Sequence, residues 1–178
     1  MNATIGLEIH VHLKTWSKLF CSCTTDIDGK EPNTEVCPIC LGYPGSKPKL
    51  NKKAVDFGIT LALALESNIE PELRFSRKNY FYPDMSKNFQ ITQYEVPLAS
   101  GGFLLVDDHR IGITRVHLEE DPAKLTHVGG GITNARETLI DYNRAGMPLV
   151  EIVTDPDIES TEEARAFLEK LSLILDHL

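Results

Sequence analysis

The sequence predicts an α+β fold in which a mainly antiparallel sheet is flanked by helices and carries a small four-cysteine zinc loop. Residues 4–13 alternate between apolar and polar side chains, which is the period of a half-buried strand. The segments after Asn51 and after Ser160 instead repeat their apolar residues at helical spacing. Two apolar runs at 103–106 and 111–118 meet across a polar turn, which indicates an antiparallel hairpin.

The opening strand presents one apolar face and one ionisable face. Its polar positions carry Glu8, His10 and His12, roughly 6–7 Å apart along the strand. Carboxylates and imidazoles hold divalent metals or exchange protons, whereas a face that serves only solubility more often carries Lys, Thr or Ser. A solvent-facing strand whose polar residues happen to be ionisable is the other interpretation that this pattern allows.

A small zinc loop is predicted over residues 20–41, which contain Cys21, Cys23, Cys37 and Cys40. A Cys-x-Cys pair and a Cys-x-x-Cys pair around a short loop allow four thiolates to converge on one tetrahedral zinc ion. Because sulfur would fill all four positions, this zinc would be structural and would order a segment rich in Gly and Pro turns. Disulfides are the alternative, but they need an oxidising compartment, and the sequence shows no targeting signal.

Both predicted helices begin at polar caps. Asn51 caps a helix that runs to about Glu66, and this helix is expected to pack against the core. Ser160 and Glu163 form the capping box of a second helix that continues to the last residue. Since no Gly, Asn or Pro stop signal follows it, we expect the chain to be part of a longer protein.

Residues 74–93 combine aromatic side chains with cations and amides. Tyr80, Phe81 and Tyr82 are consecutive, and Arg77 and Lys78 precede them. This composition suits a surface that binds a ring and phosphates. An ordinary loop with a few buried aromatic residues is the alternative.

Strands are also predicted over 90–98, 139–146 and 148–153. The strand 111–118 continues into Glu119, Glu120 and Asp121, whose like charges repel one another unless a metal ion or a cationic partner gathers them. A solvated turn would also tolerate three acids. Glu151 lies in the middle of an otherwise apolar strand, and a buried carboxylate needs a partner.

The charge distribution argues against nucleic-acid binding by this chain alone. The chain carries 18 basic and 26 acidic residues, a net charge of −8, and the acidic excess lies after residue 100. Phosphate binding needs clustered positive charge, and the basic groups at 47–53 and 74–78 are more simply interpreted as solvated surface. No apolar run has the length of a membrane span and no signal segment opens the chain, so we expect a cytoplasmic protein with no membrane partner.

Seven segments together resemble one family, the B subunit of the aspartyl/glutamyl-tRNA amidotransferase. They are residues 6–11 (GLEIHV), 17–23 (SKLFCSC), 37–41 (CPICL), 77–84 (RKNYFYPD), 111–121 (IGITRVHLEED), 143–153 (NRAGMPLVEIV) and 156–157 (PD). One such motif alone would be weak, but seven in the same order span nearly the whole chain.

The resemblance implies a catalytic cradle, an antiparallel sheet with helices similar to glutamine synthetase, of which residues 1–178 would be the N-terminal part. It implies ATP- and Mg²⁺-dependent phosphorylation of the side-chain carboxylate of Glu-tRNA(Gln) or Asp-tRNA(Asn). Ammonia that an amidase partner, the A subunit, releases from glutamine would then displace the phosphate, and a small C subunit would hold the two larger ones together. Because the helical tRNA-binding tail and the ammonia source are absent, we expect this chain not to complete the reaction alone.

The resemblance also implies site residues. The magnesium ligands would be Glu8, His10, Glu120 and Glu151, with Glu119 as an alternate, and the same four would be the catalytic residues. Hard oxygen ligands suit an ion that bridges phosphate oxygens, and the residue types agree with that role. His12 is not among them, because family members more often carry Gln or Glu there.

Contacts to ATP or to substrate phosphates are expected from side chains, since the sequence has no Walker loop. The implied residues are Arg77, Lys78, Tyr80, Tyr82 and Arg144. Some family members lack the zinc cysteines, which agrees with a structural role for that ion.

Two other interpretations remain open at this point. The related archaeal E subunit works with a different amidase partner, although residues 17–23 resemble the B type more closely. A non-enzymatic, zinc-stabilised module that binds RNA or protein would explain the cysteines and the basic groups. It would not explain Glu8, His10, Glu120 and Glu151, and it would require salt-dependent RNA binding by this chain.

Overall fold

The computed structural model describes residues 4–178, which form two helices, one large sheet and two separate hairpins. The helices are α1 (Lys52–Ala64) and α2 (Thr161–His177). The strands are β1 (Glu8–His12), β2 (Asn68–Ile69), β3 (Ser76–Asn79), β4 (Phe89–Thr92), β5 (Ala99–Ser100), β6 (Phe103–Val106), β7 (His109–Glu120), β8 (Lys124–Val128), β9 (Glu137–Asp141) and β10 (Pro148–Thr154). The predicted α+β class with mainly antiparallel strands is confirmed.

The large sheet is built around the 12-residue strand β7. Its order is β1-β10-β7-β5-β2, and β6 pairs with the first part of β7. All of these pairs are antiparallel. The register places His10, Glu151 and His117 side by side on three neighbouring strands. Since paired residues point to the same side of a sheet, these three side chains share one face.

The other face of the sheet carries the hydrophobic core. Val116 and Leu118 are fully buried there, and α1 packs closely against this face through Gly58, next to Leu118 and Leu98. Asn51 caps α1 as predicted, with its side chain accepting a hydrogen bond from the Lys53 amide. A helix therefore covers the apolar face and leaves the polar face open to a cavity.

Helix α2 begins at the predicted capping box. The Glu163 amide donates to the Ser160 hydroxyl at 3.1 Å, and the Glu163 carboxylate accepts from the Glu159 amide at 2.7 Å. Phe167 and Leu171 bury the inner side of the helix against the core. In the described part of the chain, neither helix is long and apolar enough to cross a membrane.

Two predicted strands differ from those observed. The strand expected over 90–98 is β4, which ends at Thr92 and pairs with β3 inside the segment interpreted as a ligand loop. The strand expected over 139–146 is β9, which pairs with β8 and not with β10. It ends at Asp141 because residues 142–147 form a turn, closed by hydrogen bonds from Ala145 to Tyr142 and from Met147 to Arg144.

The cysteine loop lies against that turn and brings its four cysteines together. The Leu19 amide donates to the Gly146 carbonyl, and the Glu35 amide donates to the side chain of the buried Asn143. The loop is therefore fixed to the segment that joins β9 to β10.

Candidate active site

Three side chains from three strands converge on the polar face of the sheet. His10 Nε2 lies 3.1 Å from Glu119 Oε1 and 3.4 Å from Glu151 Oε2. One ligand atom of each lies within 4.8 Å of those of the other two. The imidazole is half exposed, whereas both carboxylates are almost completely buried. Two carboxylates and one imidazole in this arrangement form a suitable partial coordination shell for a divalent cation.

His117 lies behind this cluster and holds both carboxylates in place. Its Nε2 is 3.1 Å from Glu151 and 3.8 Å from Glu119, and the side chain is only 3% exposed. Burial lowers the pKa of His117, but its interactions with the two glutamates outweigh burial and raise that pKa above its ordinary value. The bond with His117 also keeps the pKa of Glu151 below its ordinary value, so Glu151 is ionised at neutral pH. Thr92 donates to Glu119 at 3.1 Å from the opposite wall.

Glu120 does not join this cluster, although the sequence prediction included it. Successive residues of a strand point to opposite faces, so Glu120 lies on the same side as Leu118. There it pairs with the nearly buried Lys87 and accepts a hydrogen bond from the Ile91 amide at 2.9 Å. The structure therefore brings Glu119, the predicted alternate, together with His10 and Glu151.

The cluster lies in a cavity of about 890 Å³. Strands β1, β7 and β10 form one side, and the β3–β4 hairpin forms the other. Glu8 lines this cavity but lies outside the group of three ligand atoms. Arg77 and Lys78 line it from β3, and Arg115 adds a cation from β7.

Tyr80 also lines the cavity and remains a hydrogen-bond donor. Burial and nearby carboxylates, Asp84 first among them, raise the pKa of Tyr80 to about 12. Its hydroxyl therefore keeps its proton at neutral pH. Tyr82, predicted with it, does not line the cavity and is 48% exposed.

Arg144 braces the edge of the site and does not line the cavity. It lies 3.3 Å from Asp121 and donates to the carbonyls of Pro122 and Ala123 at 3.1 and 3.0 Å. The same Asp121 oxygen is 2.7 Å from Nε2 of His12. Arg144 thus fixes the carboxylate that orients His12 at the cavity rim.

Sequence reasoning missed His117, Arg115 and Asp121 as parts of this site. The signal was present for two of them, because Arg115 and His117 alternate with apolar residues along β7 in the same way as Glu8, His10 and His12 do along β1. Asp121 instead follows β7 directly after two glutamates. The contribution of Thr92 had no comparable signal, since it depends on the position of the β3–β4 hairpin.

The four cysteines form a second group that could hold a metal ion. The Cys37 amide points to Cys40 Sγ at 3.1 Å, and the sulfur atoms of Cys37 and Cys40 lie 3.8 Å apart. A hydrogen bond with Cys21 lowers the pKa of Cys40 to about 5, whereas burial raises that of Cys23 to about 11. Thiols this close share protons, and a divalent ion can replace those protons. Four sulfur ligands suit zinc and leave no open position.

The fold and the two groups of side chains define a class: an α+β domain with a carboxylate-lined cavity beside its sheet and a separate four-cysteine loop. Residues 3–178 match the family model of the GatB/GatE catalytic domain, and the chain belongs to that family. The resemblance predicted from seven sequence motifs is thereby confirmed.

Curated relatives are named as the B subunit of aspartyl/glutamyl-tRNA(Asn/Gln) amidotransferase. The chain is 56% identical to the relative from Natronomonas pharaonis over 100% of this chain and 37% of that protein. It is 55% identical to the relative from Moorella thermoacetica over 99% of this chain and 37% of that protein. It is also 55% identical to the Saccharolobus solfataricus relative, over 98% of this chain and 38% of that protein. The chain thus spans a little over a third of the length of these relatives.

Proposed function

We propose that this chain is the N-terminal part of the catalytic domain of a tRNA-dependent amidotransferase, in its B subunit. The proposed reaction is ATP- and Mg²⁺-dependent phosphorylation of the side-chain carboxylate of Glu-tRNA(Gln) or Asp-tRNA(Asn), followed by amidation. Membership of the GatB/GatE family supports the reaction class. The single observation that carries the proposal is the convergence of His10, Glu119 and Glu151 on the floor of a polar cavity.

The cavity fits a magnesium nucleotide chemically. Glu119 and Glu151 would hold the ion through oxygen, with His10 beside them, and His117 would keep both carboxylates aimed at it. Bound Mg²⁺ would supply charge compensation for the phosphate oxygens. Arg77, Lys78 and Arg115 bring positive charge to the same cavity, and no Walker loop is needed for a site that holds phosphate through side chains.

The proposed chemistry has two balanced steps. In the first, a substrate carboxylate oxygen attacks the terminal phosphorus of ATP, the bond to the bridging oxygen breaks, and ADP leaves. In the second, ammonia attacks the activated carbonyl carbon, phosphate leaves, and the amide remains after loss of a proton. We assign the ammonia to a glutaminase partner, the A subunit, held by a small C subunit. Residues of this chain bind and orient the phosphates.

We also propose that Cys21, Cys23, Cys37 and Cys40 hold a structural zinc ion. This ion would fix the loop 20–41 and take no part in the reaction, because its coordination sphere is complete. The loop contacts the turn 142–147 through Glu31, Asn33 and Glu35, so its order affects the strand that carries Glu151.

A titration of ATP into the purified chain by calorimetry, with and without Mg²⁺, tests the proposed site. We expect Mg²⁺-dependent binding that Glu151→Gln weakens at least about tenfold, because one of the two buried carboxylates is lost. Glu137→Gln is the matched control, since it removes one exposed carboxylate from β9 outside the cavity. Equal affinity in both variants would contradict the assignment. Salt-dependent RNA binding without nucleotide binding would favour the non-enzymatic module.

A further inference from the structure

Lys18 is completely buried beside the cysteine cluster. Its side chain is 0% exposed, and its Nζ donates to the Glu35 carbonyl at 2.8 Å. The same nitrogen lies 3.8 Å from Cys40 Sγ. The stem of Lys18 is close to Gly146, where a Cβ atom would lie 3.5 Å from the lysine Cδ and 3.5 Å from the Cys40 Cβ. The ammonium group is therefore held in the core next to one sulfur atom.

A buried ammonium group requires a negative partner, because removal of a charge from water is costly. Within residues 4–178, no carboxylate lies within 4.0 Å of Lys18. The contact to Glu35 uses the backbone carbonyl, and the Glu35 carboxylate is instead 3.5 Å from Lys30. The nearest group that can carry the compensating charge is the Cys40 sulfur.

We propose that Lys18 is the charge-compensating residue of the four-cysteine metal centre. Four thiolates around a divalent ion leave a net charge of about −2. Lys18 places one positive charge against this group at Cys40, inside the core, where water does not screen it. The proposal rests on the metal centre proposed above and is independent of the magnesium and nucleotide site.

The proposal predicts that loss of the Lys18 charge costs more in the loaded protein than in the metal-free protein. In the loaded protein, replacement of the ammonium by an uncharged side chain leaves an anionic centre without compensation, which weakens retention of the ion. Without the ion, protons on the sulfur atoms remove most of that negative charge, so the same replacement costs less. A lysine that serves only as core packing would destabilise both forms equally.

Lys18→Met tests this, because methionine keeps much of the apolar stem and removes the charge. The matched control is Lys30→Met, which removes a half-exposed lysine of the same loop. Zinc content is measured first, then the rate of zinc release to a chromogenic chelator, and then the thermal midpoints of loaded and metal-free protein. We expect release from Lys18→Met to be about 10–100-fold faster than from wild type, as for other residues beside metal ligands. We also expect the midpoint to fall more in the loaded protein than in the metal-free protein, while Lys30→Met resembles wild type.

Equal release rates, or midpoints that fall by the same amount in both forms, would overturn the proposal. Lys18→Arg covers the case in which Lys18→Met does not fold. If only the arginine variant folds and retains the metal, a requirement for positive charge at this position is supported. If the methionine variant retains the metal and the arginine variant loses it, that requirement is refuted. Wild-type protein without stoichiometric zinc would refute the metal centre together with this proposal, and nucleotide binding would still be judged separately by calorimetry.

Discussion

Glu119 and Glu120 are adjacent in sequence, but their replacement by glutamine should affect different properties: stability for Glu120 and Mg²⁺ binding for Glu119. Glu120 and Lys87 have side chains that are 3% and 8% exposed. Loss of one partner of a buried ion pair costs about 3–5 kcal/mol, because the other charge stays buried without compensation. For a chain of this size, 1 kcal/mol corresponds to about 2–4 °C in the melting temperature. Glu120→Gln should therefore lower that temperature by about 6–20 °C and weaken Mg²⁺ binding far less than Glu119→Gln does.

Glu119→Gln should show the opposite result. Glutamine can still accept the Thr92 hydrogen bond, and the buried His117 keeps Glu151 as a charge partner at 3.1 Å, so the loss of stability should be smaller than for Glu120→Gln. Loss of one of the two buried carboxylates near His10 should weaken Mg²⁺ binding at least about tenfold. Thermal unfolding and calorimetric Mg²⁺ titration measure the two effects. If Glu120→Gln weakened Mg²⁺ binding without a loss of stability, our assignment of the two faces would be refuted.

Three further predictions concern pH, backbone conformation and metal removal. Glu163 raises the pKa of the exposed His109, and hydrogen bonds from the Glu159 amide and from His109 lower that of Glu163. The stabilisation is complete between the ordinary pKa values, about pH 4.5 to 6.5, and declines as pH rises through the folded-state pKa of His109 or falls through that of Glu163. The difference in urea midpoint between wild type and His109→Gln should therefore be largest in this window, and a constant difference would contradict this. Gly146 has φ +87°, so Gly146→Ala should cost about 1–2 kcal/mol in urea unfolding, whereas Gly131→Ala, where a Cβ atom would meet only the Asn134 Oδ1 at 3.7 Å and φ is not positive, should cost less than about 0.5. Removal of zinc by a chelator should lower the thermal midpoint, and re-addition of zinc should restore it; an unchanged midpoint would argue against a structural ion.

Local sequence patterns predicted the elements whose burial and boundaries are visible in the order of their own residues. The alternation in residues 4–13 indicated both faces of β1, and the polar residues Asn51 and Ser160 marked where the helices begin. These features depend on neighbours along the chain, so the sequence alone contains the information.

The composition of the site was harder to predict, because it depends on register and on packing between distant segments. Three acids in a row do not show which of them shares a face with His10; the pairing of β7 with β10 decides that in favour of Glu119. Arg144 belongs to one of the seven motifs, yet the turn 142–147 directs it to Asp121 and to the carbonyls of Pro122 and Ala123, so it does not line the cavity itself. Residue type therefore indicated the chemistry, whereas tertiary contacts selected the residues.

The cysteine loop and the cavity are physically connected through the segment that carries Lys87. Ser86 donates to the Cys40 carbonyl at 2.9 Å, and Gly42 lies so close to Lys87 that a Cβ atom would overlap the lysine side chain. Lys87 in turn pairs with Glu120, whose neighbour Glu119 is a proposed magnesium ligand. Order in the cysteine loop therefore limits where Lys87 and the end of β7 can lie. Because sulfur ligands select zinc and oxygen ligands select magnesium, the two proposed sites would be filled independently, and the first would support the geometry of the second.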